Sequence, residues 1–348
     1  MSLLIALARS GYVPSWKKLP AFTLYLFSAL LRAPLKACQS RAERSQEIKA
    51  PVFILGHWRS GTTHLYNALV QTEQFAYTPP SASGLPREFP TIERHLKQLL
   101  RKAMTGTRLI DNVPVHENAP QEDEIGMANM SLLSYYHAIY FPKTFESHFN
   151  KAVFFDRISP QSIQTWESEW VAYLKRILHF FSGNRRLLIK NPVYTARPDQ
   201  IAHLFPDAHF IHIYRHPVEV FYSMRHFYKK LIPALSLQEE RPSDIDEHIL
   251  STYSRMMDQY LNFRSRVPSE KLTEFSYESL CEEPLAQLER IHNRADLKRF
   301  DEVESAYTNY LSSIQNYRKN RYEKDDKTVN TVSHRLSKYM NAFGYSTD

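Results

Sequence analysis

The chain has 348 residues, 43% of them hydrophobic and 23% charged, which argues against disorder and suits one large domain with insertions, or two domains. A chain this long buries a substantial core without disulfide staples. Its formal net charge of +7 favours an anionic partner: a phosphorylated small molecule, nucleic acid or an acidic membrane. Only two cysteines occur, Cys38 and Cys281, far apart in sequence. They frame neither a metal site nor a disulfide scaffold, so no metal is expected and a reducing, cytoplasmic compartment is.

Residues 1–50 form a basic, amphipathic N-terminal segment, with eight lysines and arginines against Glu43 and Glu47. Leu19–Leu31 (LPAFTLYLFSALL) is an apolar run, shorter than the roughly 18–20 residues that span a bilayer. Pro20 and the pair Lys17–Lys18 suit an interfacial segment, compatible with peripheral contact at the inner membrane through residues 1–48. A helix packed on its own domain is the other reading. A cleavable signal peptide is not expected, because no basic-then-apolar order and no A-x-A site occur.

From residue 51 onward, strands alternate with helices. The apolar runs Val52–Leu55, Leu187–Ile189, His209–Tyr214 and Leu272–Phe275 are predicted strands. The segments Thr62–Val70, Pro198–Leu204, Pro217–Lys229 and Tyr277–Asn293 are predicted helices. This pattern predicts an α/β fold: a P-loop-type central parallel sheet flanked by helices. A mostly helical insertion at about 77–186 interrupts it. Within that insertion Ile163–Phe181 is strongly amphipathic, with Trp166, Trp170, Leu174, Ile177, Leu178 and Phe181 at helical spacing on a core face.

The first strand opens a turn, PVFILGHWRSGTTHLYNALV. Gly56 and Gly61 stand at the G-x-x-x-x-G spacing that lets successive backbone N–H groups converge on an anion at a helix N-terminus. Ser60, Thr62 and Thr63 add hydroxyls, and Arg59 adds a planar fork suited to phosphate. The nucleoside-triphosphatase ending G-K-[ST] is absent, since Thr62 stands where the lysine would be. No apolar strand ending in a magnesium-binding Asp is evident either, so γ-phosphate chemistry is disfavoured. A second anion element follows the strand His209–Tyr214. Arg215 lies at its carboxyl end, and Ser223 sits two helical turns further on, suited to a second phosphate distant from the first.

These residues resemble the sulfotransferases that use 3'-phosphoadenosine 5'-phosphosulfate (PAPS). Arg59-Ser-Gly-Thr-Thr63 is similar to their 5'-phosphosulfate loop, and Tyr214-Arg-His-Pro217 through Ser223 to their 3'-phosphate element. Leu187–Pro192, Arg197-Pro-Asp199, Phe205-Pro206, Pro120–Glu124 and Phe343-Gly-Tyr345 resemble a mainly bacterial branch, with tyrosylprotein sulfotransferases more distantly alike. Many cytosolic members carry Lys at the position of Arg59, and their glycine-rich C-terminal 3'-phosphate motif is not found here. Tyr317-Arg-Lys-Asn320 stands in a comparable place, either supplying cations or forming a solvated charged stretch.

The resemblance implies sulfuryl transfer from PAPS, as a co-substrate, to a hydroxyl acceptor. Arg59 would stand at the leaving phosphate and Lys190 at the sulfuryl oxygens. Ser60, Gly61, Thr62, Thr63, Arg215 and Ser223 complete the donor site. Among Glu122, Asp123 and Glu124, periodicity favours Glu122 as the base, on a buried helical face with Ile125, Asn129 and Tyr136; Asp123 and Glu124 are expected to point elsewhere. His116 and His137 are reserve bases. The acceptor is unidentified: a lipid, sterol or other hydrophobic alcohol is compatible with the aromatic insertion and the amphipathic N-terminus, and a sugar hydroxyl, a phenol or a peptide tyrosine also fits. Two alternatives are a P-loop small-molecule kinase and a non-catalytic anion or nucleic-acid binder, although the ordered phosphate motifs speak against nucleic acid.

Overall fold

A computed structural model describes residues 15–18, 23, 41–89, 93, 106–107, 114–115, 118–181, 185–239, 242, 244–315 and 320–346. Leu19–Leu31 but for Thr23, Cys38, His116 and Tyr317–Lys319 lie outside the described residues. Seven strands occur among them: β1 (Val52–Leu55), β2 (Phe75–Ala76), β3 (Gly106–Thr107), β4 (Pro114–Val115), β5 (Arg186–Lys190), β6 (His209–Tyr214) and β7 (Leu272–Ser276). The chain divides into two compact units. One comprises Lys49–Ala76, Arg185–Tyr228 and Asp244–Asp348; the other comprises Met1–Ile48, Tyr77–Asn184 and Lys229–Ser243.

The first unit is built on a five-stranded sheet ordered β2-β5-β1-β6-β7, every pair parallel. All four residues of β1 are buried, as are four of five in β5 and five of six in β6. A strand covered on both faces has no polar side, so its sequence reads as an unbroken apolar run. The edge strand β7 alternates buried and half-buried residues instead. The register sets Ile54 beside Lys190 and Leu55 beside His212. The carboxyl ends of β5, β1 and β6 therefore lie side by side, with β1 at the point where the chain crosses from one flank to the other.

Helices cover this sheet, and side-chain caps start several of them. Asp244 accepts from the Glu247 amide at 3.0 Å, Ser276 from Ser279 at 3.0 Å and Asp325 from Thr328 at 2.8 Å. Each cap satisfies an amide that has no partner inside its helix. The predicted helix Tyr277–Asn293 is two helices, Tyr277–Glu282 and Pro284–Arg294. Pro284 cannot donate and its ring clashes with the preceding turn, so the first helix stops at it. The helix starting at Pro217 runs on to Leu235, with Pro233 in its final turn. The two-residue strand β2 is too short to show periodicity in sequence.

The second unit is mostly helical, with the short antiparallel pair of β3 and β4. Its longest helix, Pro160–Phe181, buries Trp166, Trp170, Leu174, Ile177 and Leu178, while Phe181 is half-buried against Tyr77 at 4.8 Å. Arg176, from the same helix, is buried; it donates to Pro86 O at 2.8 Å and lies 3.5 Å from the Glu43 carboxylate.

Helix Asp123–Met130 corrects the expected burial of the acidic triplet. Glu122 is the extended N-cap residue and is half-buried, whereas Asp123 and Glu124 are buried. Glu122, Ile125 and Asn129 do share one side of the helix, but it is the half-buried side, and the buried side carries the carboxylates of Asp123 and Glu124. Both have specific donors there: Trp170 Nε1 at 2.6 Å for Asp123 and the Tyr135 amide at 3.1 Å for Glu124. Replacing Asp123 by Ala strands a buried indole N–H, which costs about 1–3 kcal/mol. A thermal melt of Asp123→Ala should show a clearly lowered midpoint, with Asp123→Asn intermediate because it retains an acceptor oxygen. An unchanged midpoint in the alanine variant would contradict this account.

Candidate active site

The turn after β1 is shaped by two close approaches. A Cβ on Gly56 (φ 149) would fall 2.4 Å from Ile213 O, and one on Gly61 (φ 96) 2.2 Å from Cδ2 of Tyr277. Only glycine fits at either point, which leaves the loop backbone close to its surroundings at both ends. The Gly56 amide donates to Thr195 Oγ1 at 2.8 Å. Between the glycines, His57 O accepts from the Ser60 amide at 3.2 Å and from Ser60 Oγ at 2.6 Å. Ser60 thus braces the turn with its hydroxyl. Helix Thr62–Leu69 then leaves with Gly61 as its left-handed N-cap, presenting first-turn amides and the positive end of its dipole. His57 is buried, and that burial pulls its pKa down to about 4, so the loop carries a neutral imidazole at neutral pH.

Arg59 holds a left-handed backbone (φ 71), and its Nε donates to Ser223 Oγ at 2.9 Å. Arg215 Nη1 in turn donates to Arg59 O at 3.4 Å. The two anion elements, which the sequence reading separates, are therefore directly linked through Arg59. Lys190, buried at the carboxyl end of β5, donates to Thr63 Oγ1 at 3.3 Å and lies 5.9 Å from the centre of the Tyr66 ring. The residues after it are fixed by Asn191, whose Oδ1 accepts from the Val193 amide at 3.1 Å. Arg59, Ser60, Gly61, Thr62, Thr63, Lys190, Arg215 and Ser223 thus all belong to the sheet unit, on the carboxyl side of adjacent strands.

Several neighbours escape the sequence reading. Tyr277 follows β7 as Arg215 follows β6, and its ring lies 5.0 Å from the Arg215 guanidinium as well as against Gly61. The rule that ligands meet strand carboxyl ends is the signal that could have found it. Tyr322 OH shares a hydrogen bond with Ser223 Oγ at 3.1 Å, and Glu219 pairs with both Arg215 and Lys324. Tyr322 and Lys324 come from a charged stretch with no periodic signal. Thr195, the partner of Gly56, sits in the 3-10 turn Pro192–Ala196.

The acceptor-side candidates lie in the helical unit. Glu122 occupies the N-cap described above. His137 is buried with Nδ1 3.1 Å from Leu132 O and Nε2 3.1 Å from Ala128 O, and its burial lowers its pKa. In its neutral form the ring has one N–H, so it donates to one of these two carbonyls and is held as a buried structural group.

The model of the sulfotransferase family matches residues 51–302. The omega-hydroxy-beta-dihydromenaquinone-9 sulfotransferase Stf3 of Mycobacterium bovis is 25% identical over 327 residues, covering 92% of this chain and 83% of that protein. The counterpart from Mycobacterium tuberculosis matches to the same extent. The fold is similar to the crystal structure of sulfotransferase STF9 from Mycobacterium avium, with a TM-score of 0.67 at 17% identity over 92% of this chain and 81% of the other. It is also similar to sulfotransferase STF1 from M. tuberculosis, with a TM-score of 0.63 at 18% identity over 85% and 78%. Neither a kinase nor a passive anion binder accounts for these matches: the chain belongs to the sulfotransferase family, and it is a transferase that moves a sulfuryl group.

Proposed function

We propose that the sulfuryl donor is 3'-phosphoadenosine 5'-phosphosulfate and that the acceptor is the hydroxyl of a hydrophobic, lipid-like alcohol. The observation that carries the donor assignment is the contact of Arg59 Nε with Ser223 Oγ at 2.9 Å, beside Arg215 on Arg59 O. A turn that holds one phosphate has no need of a second Arg–Ser element tied to its central cation. A nucleotide with phosphates at both 3' and 5' positions does.

In this reading the loop amides, Arg59, Ser60, Gly61, Thr62 and Thr63 receive the 5'-phosphosulfate end. Arg215 and Ser223 receive the 3'-phosphate. The acceptor oxygen attacks sulfur, the bond from sulfur to the bridging phosphate oxygen breaks, and its electron pair leaves with the phosphate. Negative charge grows on that phosphate and spreads over the sulfuryl oxygens, by analogy with phosphoryl transfer. Arg59 and the loop amides answer the first charge and Lys190 the second, as fixed donors that need no reorganisation during the step. Glu122 takes the acceptor proton, since Asp123 and Glu124 are buried on Trp170 and Tyr135.

The name of the mycobacterial relatives, which specifies a hydroxylated dihydromenaquinone, supports a long prenylated alcohol as the acceptor class. Trp16 is 78% exposed beside Lys17 and Lys18. An exposed indole among cations suits the membrane interface, and so supports peripheral contact through residues 1–48 from the cytoplasm. Among the described residues, no helix is long and apolar enough to cross a membrane.

Calorimetry should show adenosine 3',5'-bisphosphate binding without metal, while ATP with magnesium binds far more weakly; the reverse order would sink the donor assignment. Transfer of label from PAPS into a cell extract should appear in the lipid fraction, and label confined to glycan or peptide would remove the hydrophobic acceptor. Lys190→Ala should lose roughly 10²–10³-fold in kcat while keeping its affinity for the bisphosphate. Glu122→Gln should lose about 10²-fold or more in kcat, again with the bisphosphate bound normally; near-normal turnover would reassign the base.

A further inference from the structure

Phe343-Gly344-Tyr345 takes no part in the chemistry above, yet it ends against the turn that carries Arg215. Helix Asp326–Ala342 stops with Gly344 at φ 75. The Gly344 amide donates to Asn341 O at 3.2 Å and the Tyr345 amide to Met340 O at 2.9 Å. This is the Schellman arrangement, in which a left-handed glycine folds the chain back across the helix end. The reversal brings Tyr345 to β6. Phe343 stacks on Tyr214 with ring centres 4.6 Å apart, and the Tyr345 ring lies edge-on to His216 at 4.9 Å.

The polar end of Tyr345 completes the contact. Its hydroxyl donates to Glu278 Oε2 at 2.7 Å, and Glu278 Oε1 accepts from the His216 amide at 3.4 Å. Glu278 follows Tyr277, whose ring lies under the Arg215 guanidinium. Two successive residues of one helix start, Tyr277 and Glu278, therefore hold two successive residues of the strand-end turn, Arg215 and His216. Tyr345 fixes the second of those holders by occupying the carboxylate oxygen that the turn does not use.

We propose that Tyr345 is a positioning residue for the nucleotide donor: through Glu278 it locks the Arg215–His216 turn, and so aims the Arg215 guanidinium at the donor's 3'-phosphate. The inference rests on the reading of Arg215 as a 3'-phosphate ligand. An unlocked turn lets the guanidinium sample positions off the phosphate, which weakens donor binding and leaves the sulfuryl-transfer step untouched. The effect belongs in the donor KM and in bisphosphate affinity. It does not belong in kcat at saturating donor, nor in the acceptor KM.

A double-mutant cycle on the full chain tests this, with adenosine 3',5'-bisphosphate as the probe in calorimetry. Tyr345→Phe should weaken its binding by roughly 5- to 10-fold, the scale of one ordinary hydrogen bond, since the bond lost acts on the donor only through Glu278. In the Arg215→Ala background the same change should have less than about a 2-fold further effect, because the residue it positions is gone. An unaltered affinity in Tyr345→Phe, or an equal loss in both backgrounds, overturns the positioning role. If Arg215→Ala alone binds the bisphosphate normally, the reading of the 3'-phosphate site fails instead, and the two failures are told apart. Should Tyr345→Phe melt early, Glu278→Gln reads the same link, since it keeps the side-chain size and one acceptor oxygen.

Discussion

Arg59 holds a left-handed backbone in the middle of the turn between Gly56 and Gly61, a conformation that costs an L-residue about 1–2 kcal/mol. It persists because the surroundings over-determine it. Ser60 closes the turn with two hydrogen bonds to His57 O, Arg215 donates to the Arg59 carbonyl, and Ser223 accepts from its side chain. Glycine at that position would remove the strain but also the cation. The turn therefore accepts a strained residue to set a guanidinium where a glycine-rich loop alone presents only amides.

Sheet order makes this arrangement possible. With β1 between β5 and β6, the turn leaving β1 meets the chain leaving β5 on one side, at Thr195, and the chain leaving β6 on the other, at Arg215. The register pairs Ile54 with Lys190 and with Ile211, so Lys190 stands level with the end of β1, while β6 runs on to Tyr214 before Arg215 leaves it. A register slip of one residue in β5 would turn Lys190 to the opposite face of the sheet. The buried apolar residues of these strands thus fix where the cations stand, as well as stabilising the core.

The central part of this construction is legible in sequence because each piece has a local cause. Val52–Leu55 and His209–Tyr214 read as strands since burial on both faces leaves them nearly unbroken apolar runs. Gly56 and Gly61 read as a turn because no other residue fits there, and Arg215 reads as a site residue from its place after a strand. What escapes depends on contacts distant in sequence. Phe75–Ala76 pairs with β5 over two residues, too few for any period to show. Glu122 looks like the buried acid because it shares a helix side with Ile125 and Asn129, but that side is half-buried, and only Trp170 and the Tyr135 amide explain why Asp123 and Glu124 turn inward. Tyr322 and Lys324 reach Ser223 and Glu219 from about a hundred residues away, out of a charged stretch that reads as solvated.

The partners of the three cations differ in kind, and the difference bears on binding. Arg59 donates to a hydroxyl and a second hydroxyl receives Lys190, while Arg215 is shared between a carbonyl and the Glu219 carboxylate. A cation bonded to a phosphate or sulfate oxygen gains an attraction between opposite charges that a hydroxyl oxygen does not offer. In the proposed complex, phosphate and sulfate oxygens replace the hydroxyls at Arg59 and Lys190, so each exchange keeps the number of hydrogen bonds and raises their strength. At Arg215 the exchange is one anion for another, and little is gained unless the guanidinium already points the right way. Orientation therefore matters most at Arg215, and it is at Arg215 that the fold concentrates its supports: the Tyr277 ring beneath it, Glu219 one turn along the helix, and the Glu278–Tyr345 link on the residue that follows.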